Sequence, residues 1–316
     1  MSAILVVDIG GTHIKVVAVE SGARREFGRH VPTAALRAGD PVENLARLVQ
    51  QVTGELDLEP DALVSTVPGF LDPDLDLVHY AGNIPEFNGR RVASELAGRL
   101  GVAVFLERDA ILLLRGEWAA GAGRDARHLL GLFFGTGVGG AFLVDGRPFR
   151  GSGFAMEIGS MPFKGLGRKL EGLRSDCLET YVSGRVLAEI ASRHQTPIGE
   201  VFVAAAKGGA LKTEVDGFIR DMAMAIATAV AVLSPDLTVV GGGICAMRGF
   251  PLDELRRLAE EIAPVSETGR KLNLKWAELG WMAAAYGAVL RAEEGASQST
   301  PAKIQDPSRA WRDSRG

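Results

Sequence analysis

One arrangement occurs twice and restricts the fold more than anything else in the chain: an apolar strand, a glycine-rich turn, then a second apolar strand. The first copy is Ala3–Val7 (AILVV), DIGGT, and His13–Val19 (HIKVVAV). The second is Leu129–Phe134, GTGVGG over 135–140, and Ala141–Val144. Apolar runs this short on either side of a turn read as strands. The glycines leave backbone N–H groups open to an approaching anion, and Thr12 and Thr136 each add a hydroxyl donor, which suits phosphate. Asp8 heads the first turn as the right kind of ligand for Mg²⁺, directly or through water, and Lys15 can reach the same anion. One such turn alone reads equally well as a tight hairpin. Two of like composition favour a nucleotide.

Other nucleotide motifs fit poorly. Gly135, Gly137 and Gly140 satisfy G-x-G-x-x-G, but that pattern needs a helix after the glycines, where this chain has a strand. Gly241, Gly243 and Ala246 repeat the pattern loosely, and Gly249 and Pro251 interrupt the helix that should follow. A dinucleotide-dependent oxidoreductase is therefore disfavoured, and no G-x-x-x-x-G-K-[ST] run is present. With 316 residues and 47% hydrophobic content, the chain is long enough for one large or two modest domains. A net charge of −4 without a basic stripe argues against nucleic acid. Two cysteines, Cys177 and Cys245, suit a reducing compartment. Asp8 and Lys15 interrupt the first apolar run, so neither a signal peptide nor a membrane span is expected, and a cytoplasmic location is.

Along the rest of the chain, helices are expected over 41–53 and 91–100, and strands over 62–67 and 102–106. The first of these strands delivers Pro68-Gly69 to its end, and Asn83 precedes a proline turn. The second ends in Glu107-Arg108-Asp109. Ligands in α/β sheets bind beyond the carboxyl ends of strands, which places Asp109 where chemistry happens. Asp109 is equally placed to cap the helix expected over 111–120. A polar, glycine-bearing segment, 165–176, leads to CLETYVSG at 177–184 and a helix through Ile190. Phe218, Met222, Ile226, Val230 and Leu233 mark a helix buried on most sides. A strand over 237–240 runs into Gly241-Gly242-Gly243, a last helix covers 281–291, and from Glu293 the composition is that of a solvated tail.

These motifs, in this order, resemble the ROK family, bacterial-type sugar kinases of the actin/hexokinase/Hsp70 superfamily whose relatives include repressors. DIGGT, the Asp109 strand end, GTGVGG, EIG at 157–159, CLETYVSG and VVGGG at 239–243 carry the resemblance, which covers about residues 3 to 292. It implies a two-lobed α/β actin/hexokinase-like (ribonuclease H-like) fold with a nucleotide and sugar cleft between the lobes. A small lobe over 1–115, completed by the helix near 281–292, would face a larger lobe over 116–280, with a polar tail over 293–316. It implies Mg-ATP on Asp8, Gly10, Gly11 and Thr12 from one side and Thr136, Gly137 and Gly139 from the other, with Gly242 and Gly243 beside the adenosine. It implies Asp109 as the general base, Glu157 and Glu179 as acceptors for sugar hydroxyls, and Gly69 and Asn83 as further sugar contacts; Arg108 and Ser160 stand at sugar-side positions and are taken as sugar contacts although they depart from the family's residues. A homodimer is expected, with sugar and ATP as partners.

Departures concentrate on the sugar side. Arg108 stands where the family usually has Asn, and Met156 where it has Gly. Ser160 replaces a His that in the family faces the sugar and binds zinc, and of the family's three cysteines only Cys177 remains. The Arg-Asp pair and the NIP run at 83–85 are similar to allose-kinase-like members; glucokinase-like members are the other near group. No zinc is expected, and Leu166, Leu170 and Leu173 are expected to pack the 165–176 segment down, with Lys164, Arg168 and Lys169 on its wet side. The leading reading is an ATP-dependent kinase for an aldohexose. The rival is a sugar sensor or transcriptional regulator, which would carry a DNA-binding segment ahead of the first core strand; that strand begins here at Ala3.

Overall fold

Every residue of the first strand except Asp8 is buried, as in a strand covered on both faces. The structure, a computed structural model, describes residues 3–20, 29–67, 69–72, 74–82 and 84–299. Asn83 and residues 300–316 of the expected tail lie outside these. In the first lobe β1 (Ala3–Ile9), β2 (His13–Glu20) and β3 (Arg29–Pro32) form an antiparallel meander, with Asp8 opposite Lys15. Parallel to β1 run β4 (Ala62–Thr66) and then, beyond a short β5–β6 ribbon (Phe70–Leu71, Val78–Tyr80), β7 (Ala103–Glu107). The strand order is β3-β2-β1-β4-β7. Two helices cover this sheet. Asp40 opens α1 (Pro41–Leu56) by accepting the Val42 and Glu43 N–H groups, and a left-handed Gly101 stops α2 (Val92–Leu100).

The second lobe repeats the plan. After α3 (Asp109–Ala120), β8 (His128–Phe134), β9 (Val138–Val144) and β10 (Arg147–Pro148) form the meander; β11 (Leu237–Gly241) and β12 (Leu274–Trp276) run parallel to β8. The order β10-β9-β8-β11-β12 matches the first sheet strand for strand, so the β8–β9 turn stands in its sheet where the β1–β2 turn stands in the other. Between β10 and β11 come α4 (Glu179–Val182), α5 (Gly184–Arg193), α6 (Val201–Ala205) and the long α7 (Gly209–Leu233); α8 (Leu252–Ile262) follows β11. The last element is α9 (Met282–Ser299).

The lobes meet through α3 and α9. Ala110, Ile111 and Leu114 of α3 pack into the second sheet with Leu129, Phe133 and Ala141. Ala284, Ala288 and Ala292 of α9 pack with Ile4, Val6 and Val64 of the first. Where the helices cross, their backbones nearly touch: a Cβ on Gly116 would stand 1.9 Å from the Ala283 carbonyl oxygen, and one on Gly287 would stand 2.0 Å from that of Leu112. Larger residues at either position would force the helices, and with them the lobes, apart.

Two boundaries differ from the sequence reading. The helix after β7 begins at Asp109 rather than Ile111, with Arg108 as its N-cap. The last helix runs on to Ser299, through seven residues read as tail, because Ala292 is still buried and Glu294 takes a two-point ion pair from Arg115 at 2.8 and 2.7 Å. β3, β12 and α8 are elements the sequence reading did not recognise. Among the described residues no helix is long and apolar enough to cross a membrane.

Candidate active site

A single cavity of about 1910 Å³ lies between the lobes, and both glycine turns and the ends of β4, β7, β11 and β12 open into it. That is roughly twice the upper volume usual for one small-molecule pocket, so two substrates fit side by side. Of the residues singled out from the sequence, Asp8, Gly10, Gly11, Lys15, Gly69, Arg108, Asp109, Thr136, Gly137, Gly139, Glu157, Ser160, Glu179, Gly242 and Gly243 line it. Thr12 does not: it sits at the exposed tip of the first turn, its hydroxyl 3.2 Å from the His13 ring. Asn83 cannot be placed.

The first turn holds its acid in one orientation. Thr66, fully buried at the end of β4, donates its hydroxyl to Asp8 at 3.0 Å and accepts the Ile9 N–H at 2.7 Å. The other Asp8 oxygen has no protein donor among the described residues and faces the cleft. Among these residues no group of three or more His, Cys, Asp and Glu could enclose a metal. Mg²⁺ needs less, since it keeps most of its waters and takes one or two carboxylates plus phosphate oxygens, so Asp8 alone fits it.

The end of β7 carries a chain of charges. Glu107 is fully buried and takes Arg150 at 2.7 and 2.5 Å, while its Oε1 also accepts the Arg108 N–H at 3.0 Å. Arg108 is 5% exposed; its side chain donates to Glu157 at 2.6 Å and to the Ala155 carbonyl at 2.7 Å. Arg150 and Glu157 belong to the second lobe, so these pairs fix the sugar-side loop against the strand that ends in Asp109. Asp109 Oδ1 accepts the Ala110 N–H at 2.7 Å, satisfying a free donor in the first turn of α3. Asp109 itself is exposed to the cleft, so its desolvation comes from the protein gathered around that opening rather than from enclosure. Burial pushes its pKa up to about 6, the Asp8 and Glu157 charges add to the rise, and the Ala110 N–H and Arg108 oppose it.

Glu157 and Glu179 approach from the second lobe. Burial raises both carboxyls; Arg108 opposes the rise at Glu157, and the Val138 N–H and Arg185 oppose it at Glu179. Val138 donates to Glu179 at 3.2 Å, and a Cβ on Gly137 would come within 2.8 Å of both Glu179 oxygens. The second glycine turn therefore touches an acid expected to face the sugar, and a bulky residue at Gly137 would disturb that acid as well as the phosphate side. Gly139 faces α3, where its Cβ would meet Ala110 Cβ at 3.1 Å. At the end of β11, Gly242 has φ +98° and no room for a Cβ, which would stand 2.3 Å from the Phe134 carbonyl oxygen; Gly243 is open to the cleft.

The 161–177 segment is tied down by polar contacts rather than by leucines, contrary to the sequence reading. Leu166 is 76% exposed, and of the three leucines only Leu170 packs against the core cluster. The tie is Asp176. Its carboxylate accepts the N–H groups of Leu166, Gly167 and Arg168 at 3.1, 2.8 and 2.8 Å, and the Tyr181 hydroxyl at 2.6 Å. Lys164 and Lys169 are exposed, as read, though the Lys164 ammonium also pairs with Asp221 at 2.5 Å and lies 5.4 Å from the centre of the Tyr181 ring; Arg168 pairs with Glu189 at 2.9 Å. The tip of this strap, including Leu170 and Arg174, forms a cleft wall that the sequence reading missed. A run of glycines, leucines and mixed charges gives no sign of which groups its backbone will bond. Arg185, Trp276 and Trp281 also line the cleft unread, Trp276 because three residues of strand carry little pattern.

Comparison with known proteins agrees with this geometry over nearly the whole chain. The ROK family profile matches residues 4–294. An N-acetyl-D-glucosamine kinase from Salmonella paratyphi A is 25% identical over 290 residues, 87% of this chain and 95% of that protein. Among solved structures, a ROK hexokinase from Thermus thermophilus superposes with TM-score 0.74 at 26% identity, covering 94% of this chain and 99% of the other. A ROK family glucokinase from Streptomyces griseus, solved with glucose and AMPPNP, gives 0.78 at 24% identity, covering 92% and 100%. Duplicated lobes, paired glycine turns and a profile match from β1 into α9 lead to one conclusion: the chain belongs to the ROK family.

Proposed function

We propose that this protein transfers the γ-phosphoryl group of Mg-ATP to a hydroxyl of an aldohexose or its N-acyl amino derivative. The observation that carries the reading is Asp109: a carboxylate with one free oxygen, its pKa raised to about 6, at the strand end between the Asp8 turn and the acids Glu157 and Glu179. A base near 6 is ionised at neutral pH and basic enough to take a proton as the hydroxyl oxygen attacks. In the step, the sugar oxygen bonds to the γ-phosphorus and its proton passes to Asp109. The bond from that phosphorus to the β,γ-bridging oxygen breaks, and its electron pair leaves with ADP. Asp8 would hold Mg²⁺, which neutralises charge building on the phosphoryl oxygens. Backbone donors of the two turns and the Thr136 hydroxyl hold the phosphates, while Glu157 and Glu179 accept from sugar hydroxyls and so disfavour analogues lacking them. Arg108 opposes the rise in the Glu157 pKa and offers its remaining N–H groups to the sugar.

A panel of aldohexoses and N-acyl hexosamines with Mg-ATP, read as ADP release, tests the reading. At least one sugar should drive release well above the ATP-only rate. Sugar binding by calorimetry with no sugar-dependent release from any member would replace the kinase with a sensor. We also propose that the protein works without zinc, since Asp176 and its donors already close the strap. Metal analysis of chelator-treated protein checks this: stoichiometric zinc, or activity lost to chelation and restored by zinc with Mg²⁺ in excess, would refute it.

A further inference from the structure

The cleft is crowded with negative charge. Asp8, Asp109, Glu157 and Glu179 all line it, and the phosphates of ATP add more. Two arginines near them are already committed, the buried Arg108 to Glu157 and the half-buried Arg150 to Glu107. Arg185, in the first turn of α5, is different. It lines the cleft half-buried, and among the described residues no carboxylate lies within ion-pair distance of it; its guanidinium makes one hydrogen bond, from Nη1 to the Glu171 carbonyl at 3.2 Å.

Its position is the junction of the two substrates. The neighbouring Gly184 donates its N–H to the Gly135 carbonyl at 2.8 Å, and a Cβ there would lie 3.4 Å from Thr136 Cα, so the start of α5 rests on the second glycine turn. On its other side the guanidinium acts electrostatically on Glu179, whose carboxylate is bonded to Val138 of the same turn. The phosphoryl group must pass between this turn and the sugar acids. An arginine there without an acid partner keeps its remaining N–H donors free for the anion, in a fork that matches phosphoryl oxygens.

Resting on the kinase reading, we infer that Arg185 is a further catalytic residue, contacting the phosphoryl group in flight from the second-lobe side and stabilising its charge in the transition state. The bonds made and broken are those of the transfer already described, and Arg185 adds no proton step. Interactions made only in the transition state appear in kcat and in the binding of transition-state analogues, not in ground-state affinity. A residue that merely tied the strap to α5 would instead change stability and sugar affinity.

The test uses the full chain and the sugar it turns over fastest. Arg185→Ala should lower kcat by about 10²–10³-fold, with sugar affinity by calorimetry held within about threefold. Affinity for Mg-ADP-aluminium fluoride in the presence of sugar should fall about 100-fold, while affinity for Mg-ADP alone changes little. Arg185→Lys keeps the charge and loses the fork, so it should recover part of kcat; it also serves if the alanine variant folds poorly. Near-normal kcat in both variants, or equal losses for ADP and ADP-aluminium fluoride, would overturn the inference while leaving the kinase reading intact. A parent chain without sugar-dependent ADP release would overturn both.

Discussion

The carboxyl ends of β7 and β12 hold the same place in the two sheets, each on the outermost parallel strand and each opening into the cleft. Their chemistry is opposite. β7 ends in Glu107-Arg108-Asp109: the first two are buried and ion-paired to Arg150 and Glu157 of the second lobe, while Asp109 stands against the like charges of Asp8 and Glu157. β12 ends in Trp276-Ala277, with Ala277 against Gly241 and the Arg256 guanidinium 5.6 Å from the centre of the Trp276 ring. One architecture therefore supplies two kinds of strand end. Burying charge is costly unless it is paired, so a protein keeps such a network where something is gained from it. At β7 the gain is a carboxylate with a raised pKa held in one place; at β12 an apolar wall suits a nucleoside base.

The largest test of that contrast is Asp109→Asn. Asn still accepts the Ala110 N–H but takes no proton, so kcat should fall about 10²–10⁴-fold. Stability should move the other way. Because the folded pKa of Asp109 lies above its usual 3.8, the native state loses stability as pH rises from there through about 6. Removing the charge should leave Tm at pH 7 unchanged or slightly higher. A variant with near-normal kcat would make Asp109 a helix-capping residue and erase the contrast. Second in size is Arg150→Ala, which strands the buried Glu107 and should cost about 3 kcal/mol by urea unfolding. The matching change at the other strand end, Arg256→Ala, should cost under about 1 kcal/mol, since it removes only a ring contact. Equal losses would mean that the two ends are built alike after all. Smaller still, Trp276→Ala should raise KM for ATP about tenfold and leave sugar affinity alone; a change in sugar KM instead would put the nucleoside elsewhere.

How far the sequence announced these two ends follows from the forces that made them. The paired glycine turns were legible because they demand particular residues at particular positions, and both fall in the cleft with Asp8 and Thr136. Asp109 was legible as the acid at a strand's end, though its place inside α3, rather than before it, was not. The charge links of Glu107 to Arg150 and Arg108 to Glu157 join residues more than forty positions apart. No local pattern reports such a pairing. The strap was misread for a related reason: with no zinc to hold it, its leucines were expected to pack it down, whereas one carboxylate, Asp176, gathers three backbone donors and a tyrosine hydroxyl. β12 and α8 escaped notice because three residues with Lys275 in the middle look like a loop, and the helix follows Pro251 directly.

The account rests on Asp109 being a base tuned by its surroundings, and the pH dependence of kcat/KM for the sugar tests that most directly, because it reports the ionisation of the enzyme before the sugar binds. With Mg-ATP saturating, kcat/KM should rise tenfold per pH unit at low pH and level off near pH 6, where Asp109 has lost its proton. A profile that stays flat down to about pH 4, the range of an unperturbed carboxylate, would contradict it.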